Sequence, residues 1–241
     1  MRFLLYNIRY GTGRRRYLFP WGGYFHRTEK QLNEIVGFIR SRDPDVAGLV
    51  EVDAGSYRSG RKNQAEVMAE RLGHYHTYAS KYGEGCMGRR LPMMRRQGNA
   101  FLARDTTRNS VFHYFKHGVK KLVIELELDE VVFFLVHLSL GFRSRHSQLG
   151  DLFSLVQDTE KPHIVAGDFN VLWGENDEMK LFLGATGLVS ANQDGNPSYP
   201  SRKPRRQLDF ILHSPEITLE KFDIPDVRLS DHLPLVCDFR L

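Results

Sequence analysis

The chain has 241 residues, a length that suits one large α/β domain or two small ones. With 41% hydrophobic and 26% charged residues, it has the composition of a globular protein rather than a disordered or fibrous one. No window approaches the roughly 18 apolar residues that a membrane-spanning helix needs. The first residues become polar too soon for a secretory signal, and we therefore expect a cytoplasmic protein.

Positive charge is in slight excess, with 34 Lys and Arg against 29 Asp and Glu and a formal net charge of +5. Much of the excess falls in five clusters: Arg14–Arg16, Arg89–Arg90, Arg95–Arg96, Lys120–Lys121 and Arg202–Arg206. Clusters of this kind attract phosphate groups in some proteins and are solvated loop surface in others. Both interpretations are open at this point.

The first third of the chain predicts strands alternating with helices. Residues 2–6 predict a strand, and Thr28 is a candidate N-cap of a helix that ends near Pro44. Residues 45–52 are apolar almost throughout, as a buried strand is. Residues 63–72 predict a second helix, closed by Gly73. The first helix is expected to bury Leu32, Ile35, Val36 and Ile39.

The rest of the chain is richer in strands. Asp129-Glu130 is a candidate tight turn between two of them, and a helix over residues 143–159 is expected to bury Leu149, Leu152, Phe153 and Val156. This order suggests two packed sheets with helices outside, although another mixed α/β fold would also accommodate it. The other predictions are a helix at 179–183 and strands at 75–81, 99–103, 110–115, 121–128, 131–138, 163–166, 208–213, 217–222 and 233–239.

Polar residues stand at the ends of several apolar strands, where rigid scaffolds present functional groups. Glu51 and Asp209 are placed in apolar runs, which is costly unless the charge is paired or bound to a metal. Each residue alone has an ordinary explanation as a turn residue, a cap, an ion-pair partner or a hydrogen-bonded core histidine. Together they make an oxygen-rich site suited to Mg²⁺ or Mn²⁺. The full set is Asn7, Glu51, His137, Gly167-Asp168-Phe169-Asn170, Asp209 and Ser230-Asp231-His232.

The ordered set of motifs resembles the endonuclease/exonuclease/phosphatase superfamily, the DNase I-like phosphoesterases. Seven segments carry the resemblance: Leu5-Tyr6-Asn7, Leu49-Val50-Glu51, Gly98-Asn99-Ala100, His137-Leu138, Gly167-Asp168-Phe169-Asn170, Leu208-Asp209-Phe210-Ile211 and Ser230-Asp231-His232-Leu233-Pro234. The resemblance implies an α/β fold, a four-layer α/β/β/α sandwich of two mixed, mainly antiparallel sheets. It also implies a single domain of this kind over residues 1–241.

The resemblance also implies a role for each residue. Glu51 would be the principal ligand of a Mg²⁺ ion, or of Mn²⁺, with Asn7 and Asp231 close to it. His232 would be the base that activates or orients the attacking water, and Asp209 would hold it in place. The remaining roles are positioning the nucleophile (Asp168), binding phosphate oxygens (Asn7, Asn99 and Asn170), and stabilising the phosphorane or protonating the leaving oxygen (His137).

Substrate identity stays open. A nuclease-like phosphodiesterase is the first interpretation; the alternatives are a phosphoesterase acting on a phospholipid or small phosphorylated molecule and a catalytically inactive phosphate-binding module. Residues 11–27 interleave Arg14–Arg16 with aromatic side chains, which fits stacking on single-stranded nucleic acid, contact with a lipid surface, or an ordinary packed loop. Residues 89–96 form a second basic loop that could border the phosphate site. The sequence implies a phosphate-containing substrate and does not by itself imply an obligate protein partner.

Overall fold

A computed structural model describes residues 1–13, 28–82, 94–105, 108–171 and 176–241. The basic and aromatic loop over 14–27 and most of the second basic loop lie outside these residues, so their predicted roles stay predictions. The helices are α1 Glu29–Arg42, α2 Gln64–Leu72, α3 Phe142–Gln157 and α4 Asn176–Thr186. The strands are β1 Arg2–Asn7, β2 Val46–Asp53, β3 Tyr75–Ser80, β4 Gln97–Ala103, β5 Asn109–Tyr114, β6 Leu122–Glu127, β7 Val132–His137, β8 His163–Asp168, β9 Val189–Ser190, β10 Asp209–His213, β11 Thr218–Asp223 and β12 Leu235–Arg240.

The described strands form two six-stranded sheets with the same pattern of pairing. The first sheet has the order β11-β12-β1-β2-β4-β3, and the second has the order β5-β6-β7-β8-β10-β9. In each sheet one central pair is parallel, β1 with β2 and β7 with β8, and every other pair is antiparallel. The predicted fold of two mixed, mainly antiparallel sheets is therefore confirmed.

The two sheets pack face to face through a core of aromatic and aliphatic side chains. The Phe133 ring of β7 lies 5.2 Å from Phe3, 6.2 Å from Phe101 and 6.3 Å from Phe239 between ring centroids. Gly48 of β2 leaves room for this packing, since a Cβ there would lie 3.2 Å from the Phe3 ring. Side chains from both sheets bury one another here, which fixes the sheets at close range.

Helices cover the outer face of each sheet and complete four layers. Leu32, Ile35 and Ile39 of α1 pack on the first sheet, as their helical spacing predicts. Leu149, Leu152 and Val156 of α3 pack in the same way on the second sheet, with contributions from α4. The prediction that Phe153 belongs to this buried stripe is wrong: it is 36% exposed, because it is one residue round the helix from Leu152.

The ends of the first two helices show which local signals operate. Thr28 stands at the N-cap of α1, but its hydroxyl donates to the Arg58 carbonyl instead of capping the helix. Asn63 does cap α2, where its side chain accepts from the Ala65 amide, and Gly73 ends that helix in the left-handed region, as predicted. Within the described ranges, no helix combines the length and the apolar character that a bilayer crossing requires.

Candidate active site

The predicted site residues meet at one end of the two sheets. Asn7 is the last residue of β1 in the first sheet, and Asp168 is the last residue of β8 in the second. The Asn7 Nδ2 group donates to Asp168 Oδ2 at 3.1 Å, which joins the two sheets by a buried side-chain hydrogen bond. His137 and Asp209 lie beside Asp168 in strand register, on β7 and β10 respectively. Packing of the sheets therefore brings together residues more than 100 positions apart.

His232 is held by Asp209. The His232 Nδ1 atom lies 2.8 Å from Asp209 Oδ2, and the same carboxylate accepts from the Ser198 hydroxyl. The Tyr199 ring lies against the imidazole, with 4.7 Å between centroids. These contacts fix the ring so that Nε2 faces the Asp168 carboxylate at 3.9 Å. Burial alone lowers the pKa of His232, but the charge and hydrogen bond of Asp209, with the charges of Asp168 and Asp231, outweigh it and raise this pKa to about 10.

Asp168 is the buried centre of the cluster. Its Oδ1 accepts from the Asn170 backbone amide at 3.0 Å, and its Oδ2 lies 3.4 Å from His137 Nε2. Burial raises the pKa of Asp168 to about 6, and the nearby charges of Asp209 and Glu51 act in the same direction. A carboxylate at this pKa exchanges a proton close to neutral pH.

Asn170 takes a left-handed backbone conformation, with φ of 54°. Its Nδ2 donates to the Leu138 carbonyl at 2.8 Å, so one amide hydrogen is already engaged. The Asn170 carbonyl accepts from Arg145, whose Nε forms a buried ion pair with Glu178 at 2.7 Å. Arg145 and Glu178 were not found by the sequence analysis, because nothing in their local pattern distinguishes them from surface helix residues.

Glu51 lies at an irregularity in β2. The pairing of β2 with β4 shifts register between Leu49 and Val52, and Glu51 has a φ of 59°. Its backbone amide donates to Asn99 Oδ1 at 3.3 Å, while Asn99 Nδ2 is buried with no hydrogen-bond partner among the described residues. Strained backbone of this kind is concentrated at functional sites. At this irregularity Glu51 is partly exposed, whereas the other residues of β2 are buried.

Among the described residues, no cationic side chain lies within 4.0 Å of the Glu51 carboxylate. An ion pair with a described arginine therefore does not explain why Glu51 interrupts an apolar run. Its negative charge contributes to raising the pKa of both Asp168 and Asp231. Burial is the main cause of the raised pKa of Asp231, whose Oδ2 lies 3.4 Å from Arg9 Nε. Glu51 is thus an unpaired carboxylate near two others, Asp168 and Asp231, whose pKa values are raised. Carboxylate oxygens of this kind are the ligands that a hard divalent cation prefers.

A second group of potential ligand atoms lies next to this one. Single atoms of Asp168, Asp209 and His232 lie within 4.8 Å of one another, close enough to hold an ion. The Nδ1 atom of His232 is already bound to Asp209, however, and the hydrogen bond between them accounts for their proximity. Asp168 and Asp209 therefore add negative charge to the same site as Glu51 and Asp231.

Two lysines near these carboxylates were not identified as site residues from the sequence. The Lys120 ammonium group is bonded to His137 Nε2, and the Lys81 ammonium group is bonded to the Tyr10 hydroxyl. Burial lowers the pKa of Lys120, although Asp168 and Glu51 oppose the shift. Burial also lowers the pKa of Lys81 to about 7. Burial and then Lys120 hold the pKa of His137 well below its usual value, so this imidazole is neutral.

Buried carboxylates, an oriented imidazole and amides thus lie together at the ends of the two packed sheets. The model of the Endonuclease/Exonuclease/phosphatase family matches residues 4–232. The chain therefore belongs to that family, whose members generally use a divalent metal. No curated protein matches the chain in sequence.

Solved structures share the fold at low sequence identity. An endonuclease/exonuclease/phosphatase from Beutenbergia cavernae is 21% identical with a TM-score of 0.73, over all of this chain and 71% of its own. The human Nocturnin catalytic domain with bound sulfate is 24% identical with a TM-score of 0.70, covering 100% and 93% of the two chains. A mannosyl-6-phosphatase from Bacteroides thetaiotaomicron is 13% identical with a TM-score of 0.73, over the full length of both chains. These likenesses concern the fold.

Proposed function

We propose that the protein hydrolyses a phosphoester bond by attack of water on phosphorus, with Mg²⁺ held by Glu51, Asn7 and Asp231. A phosphodiester, as in a nuclease-like phosphodiesterase, is the first substrate class. The observation that carries the proposal is the Asp209–His232–Asp168 arrangement, in which an imidazole aimed by one carboxylate faces a second, nucleophile-positioning carboxylate. The unpaired Glu51 beside it supports the cation site.

The chain's own groups divide the work of the reaction. Asp168 accepts a hydrogen bond from the attacking water, and His232 orients that water and takes up its proton. Asp209 contributes most to the raised pKa of His232, followed by Asp168 and Asp231, so neutralising the last two carboxylates lowers this pKa in part and favours the form that accepts a proton. A bound Mg²⁺ supplies Lewis-acid stabilisation of the negative charge that develops on the phosphate oxygens.

The remaining groups stabilise the charge that develops as the bond to the leaving oxygen breaks. His137 is neutral and buried, and its Nε2 lies between Lys120 and the Asp168 carboxylate. Its Nε2 accepts from the Lys120 ammonium group, so His137 donates to a phosphate or leaving oxygen only after the Lys120 proton has passed to Nε2. Asn7, Asn99 and Asn170 complete the set of donors, each held by backbone or side-chain contacts before substrate arrives.

The test is hydrolysis of bis(p-nitrophenyl) phosphate by the full chain with Mg²⁺, Mn²⁺ and EDTA. We expect activity with either metal, loss with EDTA, and a fall of several orders of magnitude in His232→Ala. His146→Ala is the matched control, because His146 is an exposed histidine on α3 that contacts Phe142 and none of the site residues. Activity that survives EDTA, or a His232→Ala variant that turns over at the wild-type rate, would contradict the proposal.

A nucleic-acid substrate is favoured by one feature next to His232. Tyr199, which lies against the imidazole, belongs to a turn whose exposed residues include Arg202, Lys203 and Arg205. The Arg205 backbone amide donates to the Tyr199 carbonyl at 2.9 Å, so this basic turn is tied to the site. Affinity for a DNA oligonucleotide should fall steeply with salt if the turn tracks a phosphate backbone. Release of a head group from vesicles without cleavage of DNA would instead favour a phospholipid.

A further inference from the structure

The loop that carries Lys120 is fixed by a dedicated set of contacts. Gln148 of α3 is fully buried, and its Nε2 donates to the carbonyls of His117 at 3.0 Å and Lys120 at 2.6 Å. Its Oε1 accepts from the Ser139 amide, just beyond the end of β7. Gly118 makes the close approach possible: its φ is +96°, and a Cβ there would lie 2.5 Å from Gln148 Nε2. One buried amide thus holds Lys120 beside His137.

A second lysine is brought to the same place by the adjoining sheet. The Lys121 amide donates to the Lys81 carbonyl at 3.0 Å, which ties the end of β3 to the start of β6. Lys81 is 4% exposed, and its ammonium group lies 5.1 Å and 5.4 Å from the Tyr10 and Tyr82 ring centroids. The charges that act on it come from Glu51, Lys120 and Arg58. Two cations from different sheets therefore converge on the edge of the site.

In the part of the chain that the structure describes, no carboxylate lies within 4.0 Å of either Lys81 or Lys120. A buried charge without a partner opposes folding, and two like charges near each other oppose it further. The fixed loop and the unpaired cations are explained together if an anion from outside the chain completes the cluster.

We propose that Lys120, with Lys81 behind it, forms an anion subsite that recognises the dianion of a phosphomonoester group. This inference rests on the proposed function and deepens it, since it names a feature of the substrate. Lys120 contacts a phosphate oxygen through its ammonium group. Lys81 does not touch the phosphate: it is a positioning residue, held by the Tyr10 hydroxyl, whose positive charge adds to that of Lys120. Because the pKa of Lys81 is about 7, a bound dianion favours its protonated form, and two cations then favour a group with two negative charges over a diester with one. The dianion is either the scissile group itself or a terminal phosphate next to a scissile diester.

Binding without turnover tests the subsite separately from the reaction. Calorimetry of the full chain in EDTA at pH 7.5 compares methyl phosphate, a dianion, with dimethyl phosphate, a monoanion. We expect methyl phosphate to bind at least tenfold more tightly, and Lys120→Met to lower its affinity about ten- to a hundredfold. Lys81→Met should lower it by a smaller factor, and Lys120→Arg should retain most of the preference. Equal binding of the two ligands, or a preference unchanged in Lys120→Met, overturns the proposal.

Lys121→Met is the matched control, because the Lys121 ammonium group is bonded to the Lys116 carbonyl in an exposed contact, whereas His137 Nε2 is bonded to Lys120. It should bind methyl phosphate as the wild type does. A loss equal to that of Lys120→Met would show that general surface charge is responsible, and it too would overturn the subsite.

Hydrolysis with Mg²⁺ then identifies which phosphate the subsite takes. A kcat/KM advantage of the dinucleotide pTpT over TpT that disappears in Lys120→Met assigns the dianion to the neighbour of a scissile diester. If Lys120→Met instead loses cleavage of p-nitrophenyl phosphate but keeps cleavage of bis(p-nitrophenyl) phosphate, the dianion is the scissile group. If methyl phosphate binds as expected but no ester is hydrolysed with metal, the proposed function fails while the subsite stands. If esters are hydrolysed without any dianion preference, the subsite fails alone.

Discussion

Replacing Lys81 by methionine should stabilise the protein near neutral pH. The pKa of Lys81 is about 7 in the folded chain against 10.5 for an ordinary lysine, mainly because of burial, with Lys120 and Arg58 acting in the same direction and Glu51 opposing. The unfolded chain therefore binds the proton more tightly than the folded chain does. This difference lowers the free energy of unfolding. The reduction is complete below pH 7 and disappears as the pH rises from 7 to 10.5.

The size of the effect follows from the pKa difference. Over the interval between the two pKa values, stability rises by about 1.4 kcal/mol per pH unit, so the buried charge costs roughly 4 kcal/mol at pH 7. The substitution also removes the hydrogen bond to the Tyr10 hydroxyl, which contributes about 1 kcal/mol. We expect a net gain of about 3 kcal/mol at pH 7 and a gain near zero at pH 10.

Denaturant unfolding of the wild type and Lys81→Met at pH 7 and pH 10 measures this difference. For a chain of this size, about 3 kcal/mol corresponds to a rise of roughly 6–12 °C in melting temperature at pH 7. Lys121→Met, which removes an exposed charge, should change stability by less than about 0.5 kcal/mol. The reasoning is refuted if Lys81→Met is no more stable than the wild type at pH 7, or if its gain is as large at pH 10.

Three further changes test other parts of the structure. Asp209→Asn should lower turnover of bis(p-nitrophenyl) phosphate by about 10³–10⁴ while calorimetry finds Mg²⁺ binding unchanged, because Asp209 aims His232 and is not expected to hold the ion; a mild loss would contradict that role. Glu51→Gln should weaken Mg²⁺ binding at least tenfold, and an unchanged affinity would exclude Glu51 as principal ligand. Phe133→Ala should destabilise the protein by about 3–5 kcal/mol in urea unfolding, since its ring fills the core between the sheets; a loss under 1 kcal/mol would show that the sheets close over the cavity.

Most of the fold could be predicted from local pattern. The apolar stripe of α1 and the Asn63 and Gly73 signals at the ends of α2 are properties of a few neighbouring residues. The two-residue strand β9 was missed because so short a segment has no periodicity to detect. Phe153 was assigned to the wrong face, since hydrophobicity alone does not define how wide a buried stripe is.

The site was predictable where polar residues interrupt apolar runs. Asp168 and Asp209 stand out in this way, and the structure pairs them in adjacent strands. Lys120 belongs to a basic cluster that could equally have been phosphate-attracting or solvated surface, and Lys81 follows an ordinary strand with no signal of its own. Their placement depends on the packing of β3 against β6 and on the Gln148 contacts, which link positions dozens of residues apart. Such partners are decided by tertiary structure.

The two sheets share one strand pattern, and site residues stand at corresponding positions of that pattern in each sheet. Asn7 and His137 end the corresponding strands β1 and β7, while Glu51 and Asp168 lie near the ends of β2 and β8. Each half thus provides one neutral donor and one carboxylate, and the Asn7–Asp168 hydrogen bond crosses between the halves. Neither half carries a complete centre, so activity reports on the alignment of the halves as well as on the integrity of each. A small separation of the two sheets would therefore abolish activity even if the hydrogen bonds between strands within each sheet stayed intact.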